Sequence, residues 1–130
     1  MTIDEKQLVI KRSTIPGSGK GLFTKTKISK GTRIVEYKGK ITSWKDVKYS
    51  KNNYIYYVNR NHVIDAEKNK KALARYANDA RGLKKIKGLT NNSKFVKDGL
   101  RVFIESTKSI PQGAEIFVGY GKEYWDVDWY

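Results

Sequence analysis

The sequence predicts a mainly β domain of many short strands with one or two short helices. Two observations carry this. Short β-branched and aromatic runs recur, as in Arg33-Ile-Val-Glu-Tyr37 and Tyr54-Ile-Tyr-Tyr-Val58. Turn-forming segments separate them at Ile15-Pro-Gly-Ser-Gly19, Ile28-Ser-Lys-Gly31 and Ile110-Pro-Gln-Gly113.

Residues 8–12 alternate weakly and read as a first strand, and 22–24 as a second beyond the glycine-rich turn. A β-branched strand over 33–39 ends in Gly39. Ser43-Trp-Lys-Asp46 resembles a capping box, in which an acceptor side chain at each end satisfies the first amides. It predicts a short helix over about 43–50. Residues 54–58 and 62–65 read as strands, and 69–76 has helix-forming content for about two turns. The stretch 78–94 is loop-like. Period-two alternation returns at 100–105 and 115–118, giving two more strands.

One hundred and thirty residues make one domain with an adequate but not generous core. The apolar share is 38%, and nine tyrosines supplement it with large amphipathic side chains. No apolar run reaches membrane-spanning length, and the first residues lack a signal-peptide core, so a soluble, intracellular, cytoplasmic protein is expected. With no cysteine, disulfides and thiolate zinc sites are excluded. A single histidine argues against a histidine-built metal site or a Ser-His triad. The net charge of +14 has two readings, affinity for nucleic acid or a well-solvated surface. Its distribution is uneven: a basic run over 81–87, and acids gathered near the end at Glu115, Glu123, Asp126 and Asp128.

Six ordered motifs cover roughly residues 8–125. They begin with Lys11-Arg-Ser-x-x-x-Gly17-x-Gly19-Lys20-Gly21-Leu22-Phe23, then Ile28-x-Lys-Gly31 and Glu36-Tyr37-x-Gly39. Tyr54-x-Tyr56 with Val63-Ile-Asp65-Ala66 comes next, then Arg75-Tyr76-Ala77-Asn78, and Ile110-x-x-Gly113-x-Glu115-x-x-x-x-Tyr120-Gly121 closes the set. Each is weak alone; in this order they resemble the SET-domain protein lysine methyltransferases, of the small stand-alone kind found in bacteria or viruses. Two departures stand out. Asp79-Ala80 replaces the family's His-Ser after the asparagine, and its Pro-Asn is displaced to Asn91-Asn92 by a longer basic loop. The cysteine-rich tail of many relatives is missing, so Tyr124, Trp125, Trp129 and Tyr130 would supply that wall of the lysine channel.

The resemblance implies a single SET domain over 1–130 with a short acidic and aromatic tail from about 122. Its fold is a set of small sheets around a C-terminal pseudoknot, in which the segment ending at Tyr120 passes beneath the loop containing Asn78. It further implies transfer of a methyl group from S-adenosyl-L-methionine to the amine of a protein lysine, leaving S-adenosyl-L-homocysteine, with no metal. Ser18, Lys20 and Leu22 would meet the cofactor through backbone groups, Gly19 and Gly21 permitting its close approach. Tyr54 and Arg75 would face the methionine carboxylate, with a brace for the knot as the other reading of Arg75. Asn78 would bond the cofactor, Asp79 would contact it through its backbone, and Trp125 and Tyr124 would stack on adenine or simply pack as a docked tail. Tyr120 is the leading catalytic candidate, orienting the incoming amine; Tyr37 would line the channel opposite, with Phe95 and Val118 as further channel residues.

The charge pattern adds an expectation of its own. A lysine-rich substrate, histone-like or DNA-associated, would be repelled by most of the surface and received by Glu115, Glu123, Asp126 and Asp128 near the channel mouth. Improved solubility is the plainer role for these acids. Two rival functions stay open: a basic β-rich nucleic-acid-binding module with its phosphate face over 84–97, and a catalytically inactive SET-fold binding protein. A homodimer that completes the substrate groove is compatible with the sequence but not indicated by any residue.

Overall fold

The computed structural model describes residues 3–50, 54–80 and 89–119. Ten short strands form three small sheets. The first has the order β1-β2-β9, from Leu8–Arg12, Lys20–Thr24 and Glu115–Ile116. The second, in the order β10-β7-β8-β3, uses Val118–Gly119, Ser93–Asp98, Arg101–Ser106 and Arg33–Glu36. The third, β4-β6-β5, uses Lys40–Thr42, His62–Asp65 and Ile55–Asn59. Among the described residues no helix is long and apolar enough to cross a membrane.

The expected strands are present, with shifts at their ends. Two are additional, β4 and β7; β7 begins inside the stretch read as loop. The expected strand at 115–118 is two strands in different sheets. Glu115–Ile116 pairs antiparallel with β2, and Val118–Gly119 pairs parallel with β7. Phe117 sits between them, bridged to Asn78.

The first expected helix is present but shorter, and the second is corrected. The first helix, α1, is a single turn, Trp44–Val47, continued by tight-turn bonds to Ser50. Ser43 makes no side-chain cap; its hydroxyl donates to Asp46 Oδ2 at 3.0 Å, so the two side chains satisfy each other rather than the amides. Instead, Trp44 N–H donates to Arg60 O at 2.9 Å and its ring packs edge-on against Tyr57, which docks α1 on the third sheet. The two-turn helix at 69–76 reduces to a 3-10 turn, Leu73–Tyr76. Arg75 explains this: its guanidinium reaches back to the carbonyls of Ala66 and Glu67, both at 2.9 Å, and that tether competes with a continuous helix.

The sheets meet around a main apolar core, with a smaller cluster of Ile15, Ala80 and Phe117 beside it. Leu22, Ile28, Ile34, Val102, Ile104, Ile110, Ile116 and Val118 are at most 1% exposed. Burying such side chains contributes on the order of 1.5–3 kcal/mol each. Gly39 joins the third sheet to this core. A Cβ there would lie 2.6 Å from the carbonyl carbon of Asp65 and 2.8 Å from Ala66 N, so only glycine lets the two backbones touch. On the outer face of the second sheet, Arg101 grips Glu36 through Nε (3.1 Å) and Nη2 (2.8 Å). Phe103 lies beneath the guanidinium groups of Arg33 and Arg101.

Candidate active site

Three segments converge at the open end of the first sheet: the loop from Ser13 to Lys20, the residues around Asn78, and the β9–β10 segment. The loop is closed by Ser13 N–H on Gly19 O (2.8 Å) and Ser18 N–H on Ile15 O (3.2 Å). Asn78 Nδ2 donates to Lys20 O at 3.0 Å, and its own carbonyl accepts from Val118 N–H at 2.9 Å. One asparagine therefore touches both other segments.

The buried centre of this junction is Glu115, 5% exposed. Its Oε1 accepts from Thr14 N–H (2.8 Å) and Thr14 Oγ1 (2.6 Å); Oε2 accepts from Ser13 Oγ (2.7 Å) and Asn78 Nδ2 (3.4 Å). A carboxylate taken out of water needs such donors, and here most come from residues roughly a hundred positions upstream. The expectation that Glu115 helps receive a basic substrate is therefore wrong, because the side chain is interior and its acceptor sites are used. Glu123, Asp126 and Asp128 lie outside the described residues.

The expected cofactor residues divide. Gly19 and Lys20 are exposed and Ser18 is half-buried. Gly19 adopts φ +68°, a conformation that suits glycine, and nothing lies within 4 Å of where its Cβ would be. Gly21 and Leu22 are interior. Leu22 is 0% exposed, between Ile10 and Ile116 in register. A Cβ on Gly21 would run into the Glu115 carboxylate, so this glycine permits the close approach of Glu115 and not, as expected, of a cofactor.

Arg75 is set by the two carbonyls already named and by two rings, Tyr54 at 3.9 Å and Tyr76 at 4.9 Å from its central carbon. Its Nε and Nη2 are engaged with carbonyl oxygens, and no carboxylate pairs with it among the described residues. The brace is thus visible, and Nη1 makes no hydrogen bond among the described residues. Beside Asn78, Asp79 Oδ1 accepts from Asn91 Nδ2 at 2.9 Å, while Asn91 Oδ1 accepts from Ala80 N–H at 2.8 Å. That pair closes the base of the basic loop, so the residue in place of the family's histidine has a structural partner of its own.

Tyr37 is 7% exposed, and its hydroxyl donates to Tyr54 O at 2.8 Å. Its ring meets Phe95 edge-on at 5.8 Å and Tyr56 at 6.0 Å, and Tyr56 meets Phe95 at 5.0 Å. The structure thus brings Tyr37 and Phe95 together and adds Tyr56, which the sequence reading quoted in a motif but did not assign. Val118 is fully buried in the core. Tyr120, Tyr124 and Trp125 lie outside the described residues.

Asn92 was also missed as a site-forming residue. Its Nδ2 donates to Glu115 O (3.0 Å), its Oδ1 accepts from Phe117 N–H (2.9 Å), and its N–H donates to Phe117 O (3.0 Å). The β9–β10 segment is therefore held from one side by Asn78 and from the other by Asn92. The signal was present, since Asn92 stands where the resemblance puts its displaced asparagine.

Comparison with known proteins agrees with this geometry. A family model described as SET domain matches residues 19–121. Among solved structures, the methyltransferase domain of human PR domain-containing protein 2 superposes with a TM-score of 0.67 at 23% identity, over 93% of this chain and 80% of that one. At that identity the likeness speaks for the fold: several small sheets and few helices in the same arrangement. With the family model spanning most of its length, this chain belongs to the SET-domain family.

Proposed function

We propose that the protein transfers a methyl group from S-adenosyl-L-methionine to the side-chain amine of a lysine in a protein substrate. Family membership and the methyltransferase neighbour support the reaction class. The observation that carries the reading is the Asn78–Lys20 bond, which sets the Ser18-Gly19-Lys20 backbone beside the Arg75-to-Asp79 segment.

These residues fit the cofactor in two respects. The open space before Gly19 admits a ligand against the loop backbone. The Arg75 guanidinium, fixed and without an acidic partner among the described residues, suits a carboxylate. Ser18, Gly19, Lys20, Tyr54, Arg75, Asn78 and Asp79 would hold S-adenosyl-L-methionine, which supplies an activated methyl on its own sulfonium when bound.

The chain then has two tasks, alignment and exclusion of water. Alignment of two reactants is worth on the order of 7–11 kcal/mol when the geometry is good. The Tyr37, Tyr56 and Phe95 rings form an apolar wall suited to a lysine stem, and an apolar wall favours the neutral amine, whose unperturbed pKa is about 10.4. In this reading Tyr120 orients that amine, and the β9–β10 segment threads beneath the 78–92 loop as a pseudoknot that carries Tyr120 to the site. A basic, histone-like protein is the substrate class proposed.

A radiolabelled-methyl assay on lysine-rich protein tests the reading. Label should enter lysine with the wild type and fall by at least tenfold with Tyr120→Phe. Absence of transfer to any lysine by a preparation that binds S-adenosyl-L-homocysteine would leave a binding protein rather than an enzyme.

A further inference from the structure

The first sheet carries a positive rim. Between Glu5 and Glu36 the chain has eight basic residues and no acidic one. Lys11, Arg12, Lys20, Lys25, Lys27 and Lys30 are all exposed. None of the three ion pairs among the described residues involves any of them. The sheet's one acid is Glu115, which is interior and surrounded by donors, so it cancels nothing at the surface. Because β1 is an outer strand, its far side is uncovered by other strands.

Register sets the layout. Arg12 lies opposite Lys20 at one end of the β1–β2 hairpin, and Lys11 opposite Gly21. At the other end, Leu8 lies opposite Thr24, and Lys25 N–H bonds Gln7 O. The next turn brings Lys27 and Lys30, and the reciprocal Ile28–Ile110 bonds lay it beside the segment holding Lys108. The five paired positions, four steps of about 3.3 Å, span roughly 13 Å. That length matches about five phosphates of one strand of a DNA duplex at 3.4 Å each.

We infer that this rim, formed by the β1–β2 hairpin and the turn after it, binds the phosphate backbone of double-stranded nucleic acid. An acidic protein partner is disfavoured because such interfaces centre on apolar anchors. The large exposed apolar side chains among the described residues are Ile41, Tyr49 and Leu100, all outside this region. A rim of cations without an apolar centre suits a polyanion whose charge repeats evenly. The inference does not depend on methyl transfer, although it would bring the enzyme to proteins bound on nucleic acid.

Fluorescence anisotropy with a labelled DNA duplex tests it. The wild type should bind at about 50 mM salt and weaken about a hundredfold toward 200 mM, the slope expected for roughly four phosphate contacts. The triple variant Lys25→Glu, Lys27→Glu, Lys30→Glu should lose at least tenfold in affinity. Its control, Lys40→Glu, Lys45→Glu, Lys97→Glu, has the same net charge but changes exposed residues of the other two sheets and of α1, and should lose far less. Glutamine at 25, 27 and 30 should give an intermediate loss, with melting curves confirming the fold of each variant. Equal losses in the two charge-reversed triples, a salt-independent signal, or equally effective competition by polyglutamate would each overturn the assignment. Titration with S-adenosyl-L-homocysteine, run on the same variants, tells failure here from failure of the methyltransferase reading.

Discussion

Gly21 and Glu115 are built against each other: the Cβ that Gly21 lacks would lie 2.9 Å from the Glu115 carboxyl carbon and 3.3 Å from Ser13 Cα. The empty position lets a buried carboxylate reach Ser13, Thr14 and Asn78 at once. Gly21→Ala should therefore destabilise the protein by about 1–3 kcal/mol, the usual cost of overpacking. Urea unfolding measures it, and an unchanged midpoint would show that the junction yields easily.

Glu115 and Asn78 should also be coupled in ligand affinity. Glu115→Gln keeps the shape and can still accept at one oxygen, but presents an amide donor toward Asn78 if that oxygen serves Thr14. Glu115→Gln alone should weaken S-adenosyl-L-homocysteine several-fold and Asn78→Ala at least tenfold, and the double variant by less than the product of the two. Strict additivity would mean that Glu115 acts on the fold alone.

Asn92→Ala strands Phe117 N–H and the Glu115 carbonyl in a buried place. Unsatisfied buried groups cost about 1–3 kcal/mol each, so a loss of about 2–6 kcal/mol is expected in chemical denaturation. Asn92→Asp should recover only part, since it accepts from Phe117 but cannot donate to Glu115 when ionised.

The Glu36–Arg101 pair makes a pH prediction. Arg101's hydrogen bonds, then its charge, hold the Glu36 carboxyl below the ordinary 4.5, although partial burial opposes the shift. A carboxylate with a lowered folded-state pKa contributes stability that is present above 4.5 and disappears as pH falls through the folded value. Wild type should thus lose a small stability increment in acid below pH 4.5 that Glu36→Gln does not lose. Parallel melting curves for the two proteins from neutral pH down to strong acid would contradict this.

Local pattern made much of this fold readable, and long-range contacts account for the rest. His62–Asp65, with two β-branched residues at its centre, lies where expected. Ser93–Asp98 was hidden because its charged residues look like loop until β8 and β10 pair on either side. Residues 69–76 have helical composition, but no local rule foretells that Arg75 will bond Ala66 and Glu67. Glu115 was misread for the same reason: a carboxylate near a chain end reads as surface until its distant donors are known. Arg75, Asn78 and the Ser18–Lys20 loop were legible because motif order, not local propensity, located them.

The most direct test of the central claim, that the Ser18–Lys20 loop, Arg75 and Asn78 form one cofactor site, is calorimetric titration with S-adenosyl-L-homocysteine. One molecule should bind per chain, with affinity falling at least tenfold in Asn78→Ala and in Arg75→Ala while both variants remain folded. No heat of binding with the wild type, or equal affinity in all three proteins, would contradict the account.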